Sequence, residues 1–168
     1  MREYIARNLL AGLLAGALTG IGSAPASATP AQPSYPDISQ YQRIANLENF
    51  RLTDQPGRWF VTPVALHCAI EDDGSYGCSG DLRGAPAGEN EVGWFAGDPS
   101  PRLYHTDEPR FGSGRAILTA KKYIEYRGTR CAVTDEGAAY CIHGTDPNSQ
   151  IMVTWDTLLR GSNAAPSK

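Results

Sequence analysis

The chain has 168 residues, 41 % of them hydrophobic and 20 % charged, and a formal net charge of −3. That length suits one domain. So mild an acidity argues against a nucleic-acid partner, which calls for a basic face, and against electrostatic attachment to a membrane.

Arg2 and Arg7 form a positively charged start, and Leu9 to Ile21 follows as an apolar run. Ala26-Ser27-Ala28 then offers the small-x-small pattern that signal peptidase reads. Together they predict a secretory signal peptide over residues 1–28, cleaved after Ala28. The run is roughly 13 residues, short of the about 20 that span a bilayer. No cysteine follows it to carry a lipid, and no later segment is apolar enough to cross a membrane. The expected mature protein is secreted or held at the cell wall, and is not an integral membrane protein. Losing Arg2, Arg7 and Glu3 leaves it with 13 basic and 17 acidic residues.

Residues 29–36 are small and proline-bearing, the composition of a flexible leader. Asp37 to Phe50 admits a short helix, with Asp37 as cap, Gln40 three residues on, and Ile38, Tyr41, Ile44 and Ala45 on one face. Arg58 to Thr62 reads as a strand ending at Pro63. Leu66 to Ile70 alternates, and Ser75 to Ser79 is its partner. Residues 80–114 are crowded with Gly and Pro, yet Val92, Trp94, Phe95, Leu103, Tyr104 and Phe111 are spaced through them. Linkers lack such anchors, so this loop is expected to fold back onto the sheet. Strands resume at Arg115 to Leu118, Tyr123 to Tyr126, Thr129 to Val133, Ala138 to Ile142 and Gln150 to Trp155. Residues 161–168 are polar and expected to be disordered.

Two of these stretches share one pattern. Residues 68–78 read C-A-I-E-D-D-G-S-Y-G-C, residues 131–141 read C-A-V-T-D-E-G-A-A-Y-C, and together they hold every cysteine. An acidic-glycine bend sits midway in each, where glycine supplies the positive φ of a tight hairpin turn. Export places the four thiols where they pair. Three connectivities are open. Folding each segment about its glycine brings Cys68 to Cys78 and Cys131 to Cys141, and this local pairing is expected. Each link would stabilise by about 2.5–3 kcal/mol. Joining the two segments instead would give on the order of 1.5 kcal/mol more, provided that they met early in folding. The Cys-x2–4-Cys spacing of a zinc site and the Cys-x-x-Cys of a redox pair are both missing.

Many short strands between turn residues predict an all-β fold, a small disulfide-stabilised antiparallel sandwich or barrel over residues 37–160. The repeat fits two similar halves, or two hairpins of one sheet.

Tyr35-Pro36-Asp37-Ile38-Ser39, Phe60-Val61-Thr62-Pro63, the run from Gly77-Cys78-Ser79-Gly80 to Pro86, and Tyr126 ahead of Cys131-Ala132-Val133 carry a resemblance over most of the mature chain. In these landmarks it resembles a family of uncharacterised exported proteins from mycobacteria and related actinobacteria. The resemblance implies export and disulfides and transfers no catalytic residue. Val64-Ala65-Leu66 departs from the family pattern, which has a polar-Gly turn before the first cysteine.

Candidate chemistry is sparse. Gly77-Cys78-Ser79-Gly80 has the look of a serine-protease nucleophile, but His67 and Asp72 lie within a dozen residues of it, inside one hairpin. His67, His105 and His143 could meet Asp107 or Asp146 at a metal, though their spacing gives no such sign. They read as three separate surface or loop histidines. Asp72-Asp73 and Asp135-Glu136 offer too few oxygens for a calcium loop and read as turn formers. Trp94, Phe95 and Tyr104 can form an aromatic partner surface on the long loop, or anchor that loop to the core. The expectation is a binding module with no catalytic residue, metal or cofactor, meeting an envelope or extracellular partner. The rival is an envelope hydrolase that uses His67, His105 or His143 with a nearby Asp.

Overall fold

A computed structural model describes residues 34–154 and 156–162. The expected signal peptide, most of the expected leader, Trp155 and residues 163–168 lie outside the described residues.

The fold is all-β. In chain order the strands are β1 (Gln42–Arg43), β2 (Arg58–Val61), β3 (His67–Ile70), β4 (Tyr76–Ser79), β5 (Glu91–Trp94), β6 (Arg102–Tyr104), β7 (Ala116–Ile117), β8 (Lys122–Tyr126), β9 (Thr129–Val133), β10 (Ala139–His143), β11 (Ile151–Val153) and β12 (Leu158–Arg160). They form two six-stranded sheets, ordered β7-β2-β3-β4-β5-β6 and β1-β8-β9-β10-β11-β12.

Each sheet is a five-stranded antiparallel meander with one extra strand, so the two sheets are the same design. The extra strands are exchanged. β1 precedes the first meander but pairs in parallel with β8 of the second. β7 precedes the second meander but pairs in parallel with β2 of the first. The expected antiparallel sheets therefore each carry one parallel pair, and each half of the chain completes the edge of the other. The repeat read in the sequence marks two similar halves, one per sheet.

Both hairpins close as their sequence requires. Cys68 stands opposite Cys78, and Cys131 opposite Cys141. Both pairs are bonded, and none of the described cysteines is free. At the bends the Gly74 amide donates to the Glu71 carbonyl and the Gly137 amide to the Thr134 carbonyl, at 3.0 Å each. Gly74 has φ +89° and Gly137 φ +83°. This is a tight turn closed by a left-handed residue, a role that strains any side chain bearing a Cβ. Asp73 caps its own bend by accepting from the Ser75 amide, and Asp72 accepts from the Tyr126 hydroxyl of the other half. The carboxylates here act as turn formers.

Both disulfides are fully buried between the sheets, in one core with Phe60, Ile70, Tyr76, Val92, Trp94, Leu118, Ile124, Val133, Ile151, Val153 and Leu158. Each acidic-glycine bend also packs on the first turn of the opposite half. Thr129 donates its hydroxyl to the Gly74 carbonyl at 2.6 Å, and Gly137 lies against Pro63 and Val64.

Two expectations change. The helix over Asp37 to Phe50 is absent; the segment holds β1 and a 3-10 turn at Glu48–Phe50. Its apolar residues serve tertiary packing instead. Ile38 lies on the outer face of the second sheet with Tyr140, Ile142, Met152 and Leu159, and Tyr35 and Tyr41 border them. The loop over residues 80–114 contains two strands, β5 and β6, and does fold back over the first sheet as expected.

Candidate functional site

The two halves share a backbone plan but differ on their outer faces. Strand register aligns them residue by residue. Cys78 faces Val92 as Cys141 faces Ile151. Val92 faces Leu103 as Ile151 faces Arg160. Hence Gly77 and Gly93 of the first half stand where the second half has Tyr140 and Met152. Ser79, Glu91 and Tyr104 stand where it has Ile142, Gln150 and Gly161.

The second half covers its outer face with Tyr140, Ile142 and Met152 and the 35–41 segment. The first half leaves two glycines bare and brings Phe111 back from the loop to lie over them. A Cβ on Gly77 would come within 2.2 Å of the Phe111 ring, and one on Gly93 within 2.9 Å. Phe111 is fully buried there with Trp59 and Ala69.

Beside this ring lies Glu91, also fully buried. Three donors converge on its two oxygens. Ser79 donates its hydroxyl to Oε2, the Phe111 amide reaches the same oxygen at 3.3 Å, and Tyr104 donates its hydroxyl to Oε1 at 2.5 Å. Burial, and then the hydrogen bond to Glu91, push the Tyr104 phenol upward, so that it stays a donor at neutral pH. A buried acceptor without partners is costly, and here the three donors meet that need. Glu91→Gln would turn an NH2 group against them. It is expected to lower stability by about 2–3 kcal/mol in thermal unfolding. A loss under about 0.5 kcal/mol would contradict this network.

Above Glu91 opens a cleft of about 580 Å³, lined by Phe95, Arg102, Leu103, Tyr104, Thr106, Glu108, Arg110 and Arg160. Phe95 is its apolar wall, 6.3 Å from Phe111 and 6.4 Å from Tyr104 between ring centres. The Arg102 and Arg110 guanidinium carbons lie 4.9 and 5.0 Å from the centre of the Phe95 ring, at cation–π range. Each guanidinium is held from behind by a carboxylate through Nε and Nη2. Asp98 holds Arg102 at 2.7 and 2.9 Å, and Glu71 holds Arg110 at 2.7 and 2.5 Å.

The expected aromatic surface is therefore divided. Phe95 and Tyr104 line the cleft. Trp94 points the other way, into the core, stacked on Tyr76 at 5.7 Å and on His143 at 4.7 Å. Alternation along β5 accounts for this: Val92 and Trp94 face inward, Glu91 and Gly93 outward. Glu91, Arg102 and Arg110 were not singled out in the sequence. The one available signal was the Glu91-x-Gly93 step beside an alternating Val92-x-Trp94.

Comparison of the chain with protein-family models, with curated proteins and with solved structures found no match.

The three histidines have three separate sets of partners. His67 Nδ1 lies 3.1 Å from the Gly114 carbonyl. His105 is exposed, with Nδ1 2.6 Å from the Gly88 carbonyl and Nε2 3.3 Å from Asp107. His143 is half-buried at the junction of the halves, with Nδ1 2.9 Å from the Thr129 hydroxyl. His143 is thus a packing residue, not the surface or loop histidine expected. None of the three lines the cleft. His67 does face Ser79 across the β3–β4 pair, but Ser79 spends its hydroxyl on Glu91. Among the described residues no group of three or more His, Cys, Asp or Glu side chains is placed to hold a metal ion. No described helix is long and apolar enough to cross a membrane.

Proposed function

We propose that this protein is an exported, non-catalytic binding module whose ligand enters the cleft beside Phe95 and Tyr104. An exported compartment is supported by the signal-like N-terminus, by the resemblance to an exported family, and by two buried disulfides, which persist where the surroundings are oxidising.

The observation that carries the binding role is the contrast between the halves. The second half shows that the fold closes its outer face with ordinary side chains. The first half gives up that closure, importing a ring from a distant loop and burying a carboxylate under a cleft. Folding alone does not ask for this, and rigid scaffolds that carry a loop-built concavity commonly bind there.

Ligand-observed NMR of the disulfide-intact domain against a fragment library tests the reading. Fragments are expected to bind the native protein, to lose binding in Phe95→Ser, and to keep it in Ile117→Ser, a control on an exposed residue of β7 outside the cleft. If every fragment that binds native protein also binds Phe95→Ser unchanged, the cleft is not the site.

A further inference from the structure

The cleft's polar groups are unbalanced in a way that selects a ligand class. A guanidinium has five N–H donors in a planar fork. Arg102 and Arg110 each commit Nε and one Nη2 hydrogen to Asp98 and Glu71, which fixes the plane of each fork. Their Nη1 groups make no hydrogen bond among the described residues. Arg160 comes from the edge strand of the other sheet, and among the described residues its side chain makes one hydrogen bond, from Nη1 to the Pro101 carbonyl at 3.3 Å. It has no carboxylate partner among the described residues. Three arginines therefore present unused donors around one opening.

Acceptors facing the same space are few. Both Glu91 oxygens are occupied by Ser79, Tyr104 and the Phe111 amide. Asp98 and Glu71 sit behind the arginines they hold and do not line the cleft. Glu108 is the one lining carboxylate without a hydrogen-bond or ion-pair partner among the described residues, and it is exposed at the rim. Of the remaining walls, Phe95, Leu103 and the Tyr104 ring are apolar or aromatic, and the Thr106 hydroxyl is engaged by the Glu108 backbone, donating to its carbonyl and accepting from its amide at 3.1 Å each.

We infer that the ligand carries an oxyanion, a carboxylate or a phosphate, on an apolar or aromatic body. The anion would meet the free edges of Arg102, Arg110 and Arg160, the geometry in which guanidinium binds such groups most strongly. The body would lie on Phe95. This inference rests on the reading of the cleft as the binding site and adds the chemistry that it selects.

Calorimetric titration with phenylacetate, phenyl phosphate and benzyl alcohol tests it. The three share a ring and differ in head group. At least one of the two anions is expected to bind tenfold or more tightly than the alcohol, and the tighter one says whether the head group is a carboxylate or a phosphate. Arg160→Met, at an exposed position, is expected to weaken the anion about tenfold and leave the alcohol unchanged. Glu108→Gln, which removes the opposing charge, is expected to tighten the anion two- to threefold. Unfolding curves matching those of the native protein show that both variants are folded. Equal binding of all three probes, lost together in Phe95→Ser, would overturn the anion inference and leave the cleft as the binding site. No binding of either anion, or anion binding untouched by both variants, would also overturn it; whether the cleft binds at all is decided separately by the fragment screen.

Discussion

Replacing Phe111 by alanine is expected to lower stability by about 3–5 kcal/mol, a shift in melting temperature on the order of 10 °C. The ring is fully buried and comes from a loop, yet it occupies the space over β4 and β5 that the second half fills with Tyr140 and Met152. Its loss removes apolar burial and leaves a cavity over two glycines, which cannot fill it. A double-mutant comparison makes the claim specific. In the native background Gly93→Ala pushes a methyl group to 2.9 Å from the Phe111 ring and is expected to cost about 1–3 kcal/mol. With Phe111→Ala already in place the ring contact is gone and only the Tyr76 carbonyl, 3.2 Å away, still crowds the same methyl, so its cost should fall well below the native-background value. Equal costs in the two backgrounds, read from urea unfolding, would show that the ring does not lie over Gly93. Fragment binding should weaken together with Phe111→Ala, because Phe95 rests on that ring.

Removing both disulfides is expected to cost about 5–6 kcal/mol, half from Cys68→Ala with Cys78→Ala and half from Cys131→Ala with Cys141→Ala. Each bridge closes a loop with a sequence separation of 10 within its own hairpin, so the chain-entropy contributions are alike. Small domains are stable by only about 5–15 kcal/mol. The four-alanine form should therefore be largely unfolded at 37 °C, while either two-alanine form still folds. Urea midpoints on the four proteins check this. A loss below about 1 kcal/mol for either pair would mean that the cross-strand pairing is secured without its bridge.

The hairpins were legible because they rest on local rules. Cysteines ten apart, an acidic-glycine bend midway and alternating apolar residues leave little freedom, and each hairpin forms where those residues stand. The strands that escaped notice lack such signals. β5 has only four residues, two of them Glu91 and Gly93, and β6 and β12 have three each. Short edge-proximal strands are fixed by the neighbour they join, not by their own periodicity. The exchanged strands β1 and β7 are two residues long, and nothing in Gln42–Arg43 says that its partner lies at Lys122 and Tyr123. The helix expected over Asp37 to Phe50 failed for a related reason. Its apolar spacing was real, but Ile38 and Tyr41 pack on the second sheet while Leu47 and Phe50 belong to the inter-sheet core. Tertiary packing on two surfaces overrode the one-faced pattern that a helix needs.

The cleft was half legible. Phe95 and Tyr104 stood out as aromatic residues in a Gly/Pro-rich loop, and both line it. Trp94 has the same chemistry but falls on the inward side of β5, a parity that emerges only once the strand is recognised. The arginines and Glu91 come together from β5, β6, β12 and the segment near residue 110, so no local spacing reveals them. What exposes the site is the internal comparison. At three matched outer-face positions Gly77, Gly93 and Ser79 stand where the second half has Tyr140, Met152 and Ile142, and the cleft lies beside them.

The functional account stands on the first half's outer face being the place where a ligand sits. Amide NMR of the disulfide-intact domain, titrated with the tightest fragment from the screen, locates it directly. Shifts confined to residues 91–110 and Arg160 are the predicted result. Shifts centred on Tyr140, Met152 and Leu159, or spread evenly over both halves, would contradict it.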